Sequence, residues 1–293
     1  MRLSTSTCIY FNRPDGTKAS ILDSVKLCGE AGYRVMDMNF HDCSVFDTPF
    51  RGNHWKDWIF RIREQADRYQ IEFSQGHSHF YNFCDTNHPE KEQLDEYIRR
   101  GIEGAGMLGI PWLVIHAATD FQSAQMVKDS KRKTIEYLKP CLELAEKCGV
   151  GIAIENLWDL NIAPQKRYTT TPEELVDLVD TLGADFQNVG ICWDVEHSEI
   201  MKQDLGASLQ LVGKRLKATH ISDYIDMCED HILPYQGLIQ WSKVMNVWKA
   251  VDYEGDFTFE VHRHTMRLPD ELVPQALRNS VLVGNYLLGL LEE

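Results

Sequence analysis

Short apolar, β-branched stretches recur along the chain, and most are followed by a segment whose apolar residues repeat at helical spacing. Eight such stretches read as strands, at 3–9, 33–39, 71–79, 112–117, 150–156, 188–194, 216–222 and 256–262. Strands alternating with helices imply right-handed crossovers and a parallel sheet. Eight units in one chain close most naturally into a (β/α)8 TIM barrel, an α/β fold, and residues 1–293 read as one such domain. The competing open, doubly wound sheet lacks its Gly-rich phosphate turn after the first strand. Helix signals keep the same register. Thr171, Pro172, Glu173 and Glu174 supply a capping hydroxyl, a proline at the first helical position and an acidic first turn. The apolar run 280–291 reads as a closing helix. The connections at 40–55, 80–92, 157–170 and 222–240 are long and carry Trp, His, Tyr and Arg. A barrel builds its active site from the loops in those places.

Side chains in a strand alternate between faces. Ala153 therefore shares a face with Glu155, Cys192 with Asp194, Ala218 with His220, and Thr258 with Glu260. The opposite face carries Ile152, Ile154, Ile191, Trp193, Phe257 and Phe259, bulky groups suited to the interface with a ring of helices. The small residues suit a crowded barrel interior. Glu155, Asp194, His220 and Glu260 are thus expected to point inward at one end of the barrel. Three carboxylates converging in a confined space repel one another and resist desolvation. A divalent cation removes that cost, and oxygen-rich ligation with one imidazole suits Mn²⁺, Mg²⁺, Co²⁺ or Zn²⁺.

Composition narrows the partners. The chain has 293 residues, with 43% hydrophobic and 25% charged, as an ordinary globule does. With 30 basic against 44 acidic residues its net charge is −14, a surface that repels nucleic-acid backbones and anionic lipid. No apolar run approaches the roughly 18 residues of a membrane span. The start MRLSTSTCIY enters a strand directly and does not read as a signal peptide. The eight cysteines, Cys8, Cys28, Cys43, Cys84, Cys141, Cys148, Cys192 and Cys228, are scattered and form no CxxC pair. They read as small buried hydrophobes, reduced in a cytoplasmic protein.

The segments IAIEN (152–156), WDVEH (193–197), THISD (219–223) and FEVHR (259–263) resemble the xylose-isomerase-like barrel superfamily, and the resemblance extends over nearly the whole chain. That superfamily holds sugar and sugar-phosphate isomerases and epimerases, inosose dehydratases and zinc-dependent abasic-site endonucleases. The resemblance implies one catalytic divalent ion, Mn²⁺ first and Co²⁺, Mg²⁺ or Zn²⁺ as substitutes, on Glu155, Asp194, His220 and Glu260. It implies that His197 contacts substrate. Residues 229–237 resemble an acidic-x-His-x-x-Pro-Gly-x-Gly segment of such proteins, with Tyr235 in place of the first Gly and Glu229 in place of Asp. His231 there is expected to face substrate or a second metal, or to brace the loop. The implied reaction is proton transfer beside a ketose carbonyl through an enediolate, with Glu155 and Glu260 as the acid/base pair. Epimerisation and isomerisation are both open.

His116 shares a face with Trp112 and Val114 and is expected to reach the pocket, as a substrate contact or as a partner to a residue that touches substrate, rather than as a core histidine; His79 is read the same way. Arg263 is a candidate for a substrate hydroxyl or phosphate, with a surface ion pair as the alternative. Trp55, Trp58 and Phe80 are candidates to stack on a sugar, while His41, His54, His88 and His264 read as surface or loop residues. No Gly-rich phosphate cradle follows strands seven and eight, which favours an unphosphorylated sugar or polyol; Arg13, Lys18 and Arg263 are the residues that would hold a phosphate. The expected partners are a small-molecule substrate and copies of the chain in a homodimer or homotetramer, without nucleic acid or membrane. Two further reactions fit the same chassis: dehydration of a keto-inositol or keto-polyol, and phosphodiester hydrolysis at three zinc ions with His79, His116, His197, Glu229 and His231 as extra ligands. A barrel that only binds sugar would need a broken ligand set, and all four positions are filled.

Overall fold

The computed structural model describes residues 1–159, 166–226 and 229–292. Eight parallel strands form one sheet: β1 (Arg2–Ser6), β2 (Val35–Asn39), β3 (Glu72–His77), β4 (Trp112–Ile115), β5 (Gly151–Glu155), β6 (Val189–Asp194), β7 (Leu216–His220) and β8 (Asp256–Phe259). Their order follows the chain from β1 to β7, with β8 beside β1. The seam between β7 and β8 closes just beyond the strands, where Ile221 N donates to Thr258 O at 2.9 Å and Glu260 N to Ile221 O at 3.1 Å. The sheet is a nearly closed TIM barrel. Its helices are α1 (Ile21–Ala31), α2 (Phe40–Val45), α3 (Trp55–Tyr69), α4 (Lys91–Leu108), α5 (Met126–Cys148), α6 (Pro172–Gly183), α7 (Val195–Ile200), α8 (Leu205–Val212), α9 (Trp241–Trp248) and α10 (Val273–Gly289).

The alternation along the strands sorts two separate apolar clusters. Val114, Ala153, Cys192 and Ala218 pack inside the barrel with Trp112. Ile152, Ile154, Ile191, Trp193, Phe257 and Phe259 belong to the larger cluster between sheet and helices. The interior is so crowded that Gly151 has no room for a side chain: a Cβ there would overlap the Trp112 ring. Thr171 Oγ1 accepts from Glu174 N and Pro172 opens α6, as the capping pattern requires.

Three local expectations shift. The first strand stops at Ser6, whose hydroxyl caps a short 3-10 turn over Thr7–Tyr10. The connection 40–55 is largely helical, holding α2 and a 3-10 turn at Pro49–Arg51. The last helix begins at Val273, ahead of the apolar run, because its first turns carry Pro274, Gln275, Arg278 and Asn279 and so lack an apolar signal. Seven thiols, Cys8 through Cys192, are free, and Cys228 lies outside the described residues. No helix among the described residues is long and apolar enough to cross a membrane.

Candidate active site

The C-terminal ends of the strands surround a cavity of about 300 Å³ whose wall includes His77, His116, Glu155, His197, His231, Glu260 and His262. Three buried carboxylates line it, Glu155 and Glu260 at 1% and 4% exposure and Asp42 at 7%. Each glutamate is gripped by imidazoles. Glu155 Oε1 accepts from His220 Nδ1 at 2.6 Å, and its Oε2 accepts from His116 Nε2 at 2.8 Å with His77 Nε2 3.4 Å away. Glu260 Oε2 lies 3.4 Å from the same His220 nitrogen and 3.6 Å from His231 Nε2; its Oε1 lies 3.5 Å from His262 Nε2. His220 therefore stands between two carboxylates that each hold a private pair of histidines.

Asp194 sits beneath this layer, fully buried. Its Oδ1 caps α7 by accepting from His197 N at 2.7 Å. Its Oδ2 has no hydrogen-bond partner and lies 3.7 Å from His197 Nε2; His220 Nε2 is likewise buried without a partner. An unpartnered carboxylate oxygen shut off from water is costly unless something positive occupies the space beside it. Asp194, Glu155, His220 and Glu260 thus have the donor chemistry of a divalent-cation site. Groups of three ligand atoms lie within 4.8 Å of one another in several places: His77 with His220 and Glu260, His77 with His116 and Glu155, Asp194 with His197 and His231, and His231 with Glu260 and His262.

Burial alone would raise the Glu155 carboxyl, but the charge of His220 and hydrogen bonds from His116, His220 and His77 hold it well below the ordinary carboxylate range. Glu260 follows the same pattern, with burial outweighed by His220, His231 and His262. Asp194 goes the other way. Burial pushes it up to about 7, and the carboxylates of Glu155 and Glu196 add to the rise. Burial also drives His116 down to about 4 and His41 down to about 2, leaving both rings neutral near pH 7. The ring of His220 is held well above its ordinary value despite burial, because Cys192, Glu260 and Glu155 face it.

Backbone and carboxylate partners orient the rings. His77 Nδ1 donates to Ser78 O at 2.9 Å, and His197 Nδ1 donates to Asn156 O at 2.8 Å. Each bond fixes the orientation of its ring and turns Nε2 into the site. Glu196, fully buried on α7, holds His231 twice: its Oε2 accepts from His231 N at 2.8 Å and its Oε1 lies 3.2 Å from Nδ1. His231 and, four residues on, Tyr235, whose N donates to Asp223 Oδ2 at 3.1 Å, are both in left-handed backbone, at φ 50° and 74°.

Of the residues singled out from the chain alone, Glu155, Glu260, His116, His197 and His231 line the cavity, and Asp194 and His220 lie directly beneath it. His79 does not reach it. β3 ends at His77, so strand alternation no longer applies two residues on; the His79 Nδ1 bonds to Ser44 Oγ at 2.7 Å behind the site. Arg263 is paired with Asp230, Nε to Oδ1 at 2.8 Å, and does not line the cavity. Arg13 is spent on Asp270 and the carbonyls of Thr265 and Leu268. Lys18 donates to Asn12 Oδ1. Trp55 and Trp58 pack in the core, whereas Phe80 does line the cavity. His41, expected on the surface, lines it too, as do Trp158 and Arg167. His77, His262 and Glu196 gave little warning, because each acquires its role only through contacts with other strands.

A profile of the xylose isomerase-like TIM barrel family matches residues 25–281. The inosose isomerase of Bacillus velezensis is 27% identical over 59% of this chain and 61% of its own length, so the chain spans about three fifths of that relative. Among solved structures, a D-tagatose 3-epimerase-like protein superposes with a TM-score of 0.72 at 20% identity, covering 98% of this chain and 99% of its own. A 3-keto-D-glucoside 4-epimerase from E. coli gives 0.72 at 16% identity, covering 98% and 99%. At these identities the structures speak to the fold.

Proposed function

The chain belongs to the xylose isomerase-like TIM barrel family, and on that premise we propose that it is a divalent-metal-dependent isomerase or epimerase acting on a keto-sugar or keto-polyol. The observation that carries the reading is the pair of buried carboxylates, Glu155 and Glu260, placed on either side of His220 Nδ1 and opening onto one cavity. The names of the relatives, an inosose isomerase and sugar epimerases, support it.

Glu155, Asp194, His220 and Glu260 would hold the cation, which supplies Lewis-acid polarisation of the substrate carbonyl and charge stabilisation of the enediolate. One glutamate takes the proton from the carbon beside the carbonyl, and the other returns a proton from the opposite side. Both are ionised at neutral pH, as a base must be, so the glutamate that returns the proton draws it from a protonated histidine beside it, as His231 and His262 stand beside Glu260. The flanking pairs, His77 with His116 and His231 with His262, keep each carboxylate pointed at the cavity and give a protonated carboxyl somewhere to relay its proton. His197, locked by Asn156, presents Nε2 to substrate oxygen.

The test is elemental analysis of the purified protein joined to proton NMR in heavy water with a panel of ketoses and keto-inositols. One ion per chain and deuterium uptake at the carbon beside the carbonyl are expected. A protein that takes up no Mn²⁺, Co²⁺, Mg²⁺ or Zn²⁺ would overturn the mechanism.

A second reading has its own observation. The His77–His116–Glu155 and Asp194–His197–His231 groups offer two more sets of ligand atoms, as a three-zinc phosphodiesterase would need. The net charge of −14 opposes a polyanionic substrate. Close to three zinc ions per chain would put this reading ahead.

A further inference from the structure

The cavity over Glu155 does not end at His116. His41, Phe80 and His116 stack face to face, with centroids 3.8 Å and 4.2 Å apart, and past them lies a second lobe of about 250 Å³. The two lobes share Phe80, His116, Leu157 and Arg167 as common wall. The floor of the outer lobe is the chain leaving β4, where Ala117 and Ala118 are buried and contribute only methyl groups. Phe121 also lines this lobe. Phe80 and Phe121 are among the few large apolar side chains left open to solvent, at 37% and 39%. Asn82, which lines the lobe, is held by its oxygen, which accepts from Thr119 N at 3.2 Å and leaves the NH₂ group as the amide's remaining donor.

The inner lobe alone is about 300 Å³, the lower end of the ~300–1,000 Å³ range that encloses small ligands. It accommodates the reacting ring and leaves the outer lobe over. Exposed aromatic faces beside a polar amide and a guanidinium match a flat, partly apolar group carrying hydroxyls. We infer that the outer lobe is a subsite for the substituent on the anomeric carbon of a glycosidically blocked keto-sugar, a second sugar ring or an aryl group. The substrate is then a cyclic keto-glycoside rather than a free open-chain ketose. The inference rests on the isomerase/epimerase reading and names its substrate class. The chemistry balances without a further reactant: the C–H proton beside the ring ketone passes to one carboxylate, a proton from a charged histidine beside the other carboxylate is relayed through it to the same carbon, and the glycosidic bond is untouched.

The test begins with binding, which needs no turnover. Phenyl β-D-glucoside, methyl β-D-glucoside and D-glucose are titrated into the purified protein by calorimetry, for wild type, Phe121→Ala and Asn82→Ala. Both changed residues are solvent-exposed, so the variants should fold, and circular dichroism checks it. The phenyl glucoside is expected to bind the wild type more tightly than the methyl glucoside, and Phe121→Ala should erase about tenfold of that preference, one lost aromatic stack. Equal affinity for the phenyl and methyl glucosides, or an equal loss for all three ligands in Phe121→Ala, overturns the subsite. Deuterium exchange separates this from the reaction. Exchange with free ketoses but no faster exchange with keto-glucosides leaves the isomerase reading standing and removes the substrate class. A glycoside preference without exchange on any keto-sugar keeps the subsite and removes the reaction.

Discussion

Nδ1 of His220 stands 2.6 Å from Oε1 of Glu155, with both side chains shut off from solvent. A cation held by Glu155 and His220 would compete with the proton that the two side chains share. Cation uptake must therefore expel it, since a ligating imidazole nitrogen is deprotonated. Calorimetric titration with Mn²⁺ in buffers of different ionisation enthalpy should show about one proton released per ion at pH 6–7. Glu155→Gln should bind the ion more weakly and lose roughly 10²–10⁴-fold in deuterium exchange at the substrate carbon. Uptake with no proton released would mean that the ion sits elsewhere.

Asp194 gives the cation-free protein a distinctive pH dependence. Its folded value of about 7 lies above the ordinary carboxylate value, so the folded state binds a proton that the unfolded chain has released. The stability tied to that proton is complete below about pH 4 and is lost as pH rises toward and through 7. His220 and His231, also held above their ordinary values, lose stability in the same direction at higher pH. In a chelating buffer, wild type and Asp194→Asn should melt close together at pH 5. At pH 8 wild type should melt at the lower temperature. A gap that does not widen with pH would count against a raised Asp194.

His77 and His79 separate function from support. His77 faces Glu155 from the cavity wall, while His79 is buried behind it against Ser44. His77→Asn should cut kcat/KM at least tenfold with a small change in Tm. His79→Asn should cost about 1–3 kcal/mol of stability, by breaking a buried polar contact, and leave kcat/KM within about threefold. The reverse pattern would place the reacting carbon on the other side of Phe80.

Glu196 acts through His231. Its carboxylate holds the ring well above the ordinary histidine value, although burial alone would lower it. Glu196→Gln removes the charge and keeps the shape. The His231 ring should then titrate at lower pH by NMR, and the acidic limb of the pH–rate profile should shift downward with it. An unmoved His231 resonance would show that Asp230 and Glu260 suffice.

The inner face of the barrel was legible in the chain because alternation is a property of extended backbone. Ala153 with Glu155, Cys192 with Asp194 and Ala218 with His220 each repeat it, and the inner and outer apolar clusters divide along the same lines. The capping run from Thr171 to Glu174 was legible for the same reason, since a cap is satisfied within one turn. Past the last strand hydrogen bond that logic ends. His77 and His79 look equivalent by period, and only the stopping point of β3 decides which one meets Glu155. His41, Glu196 and His262 lie on turns and short helices that carry no period, and their places follow from which strands the closed sheet sets side by side. The local pattern determined which strand residues face inward; closure of the barrel decided which loop residues stand over them, because those contacts join residues more than a hundred positions apart, as His77 and His220 do.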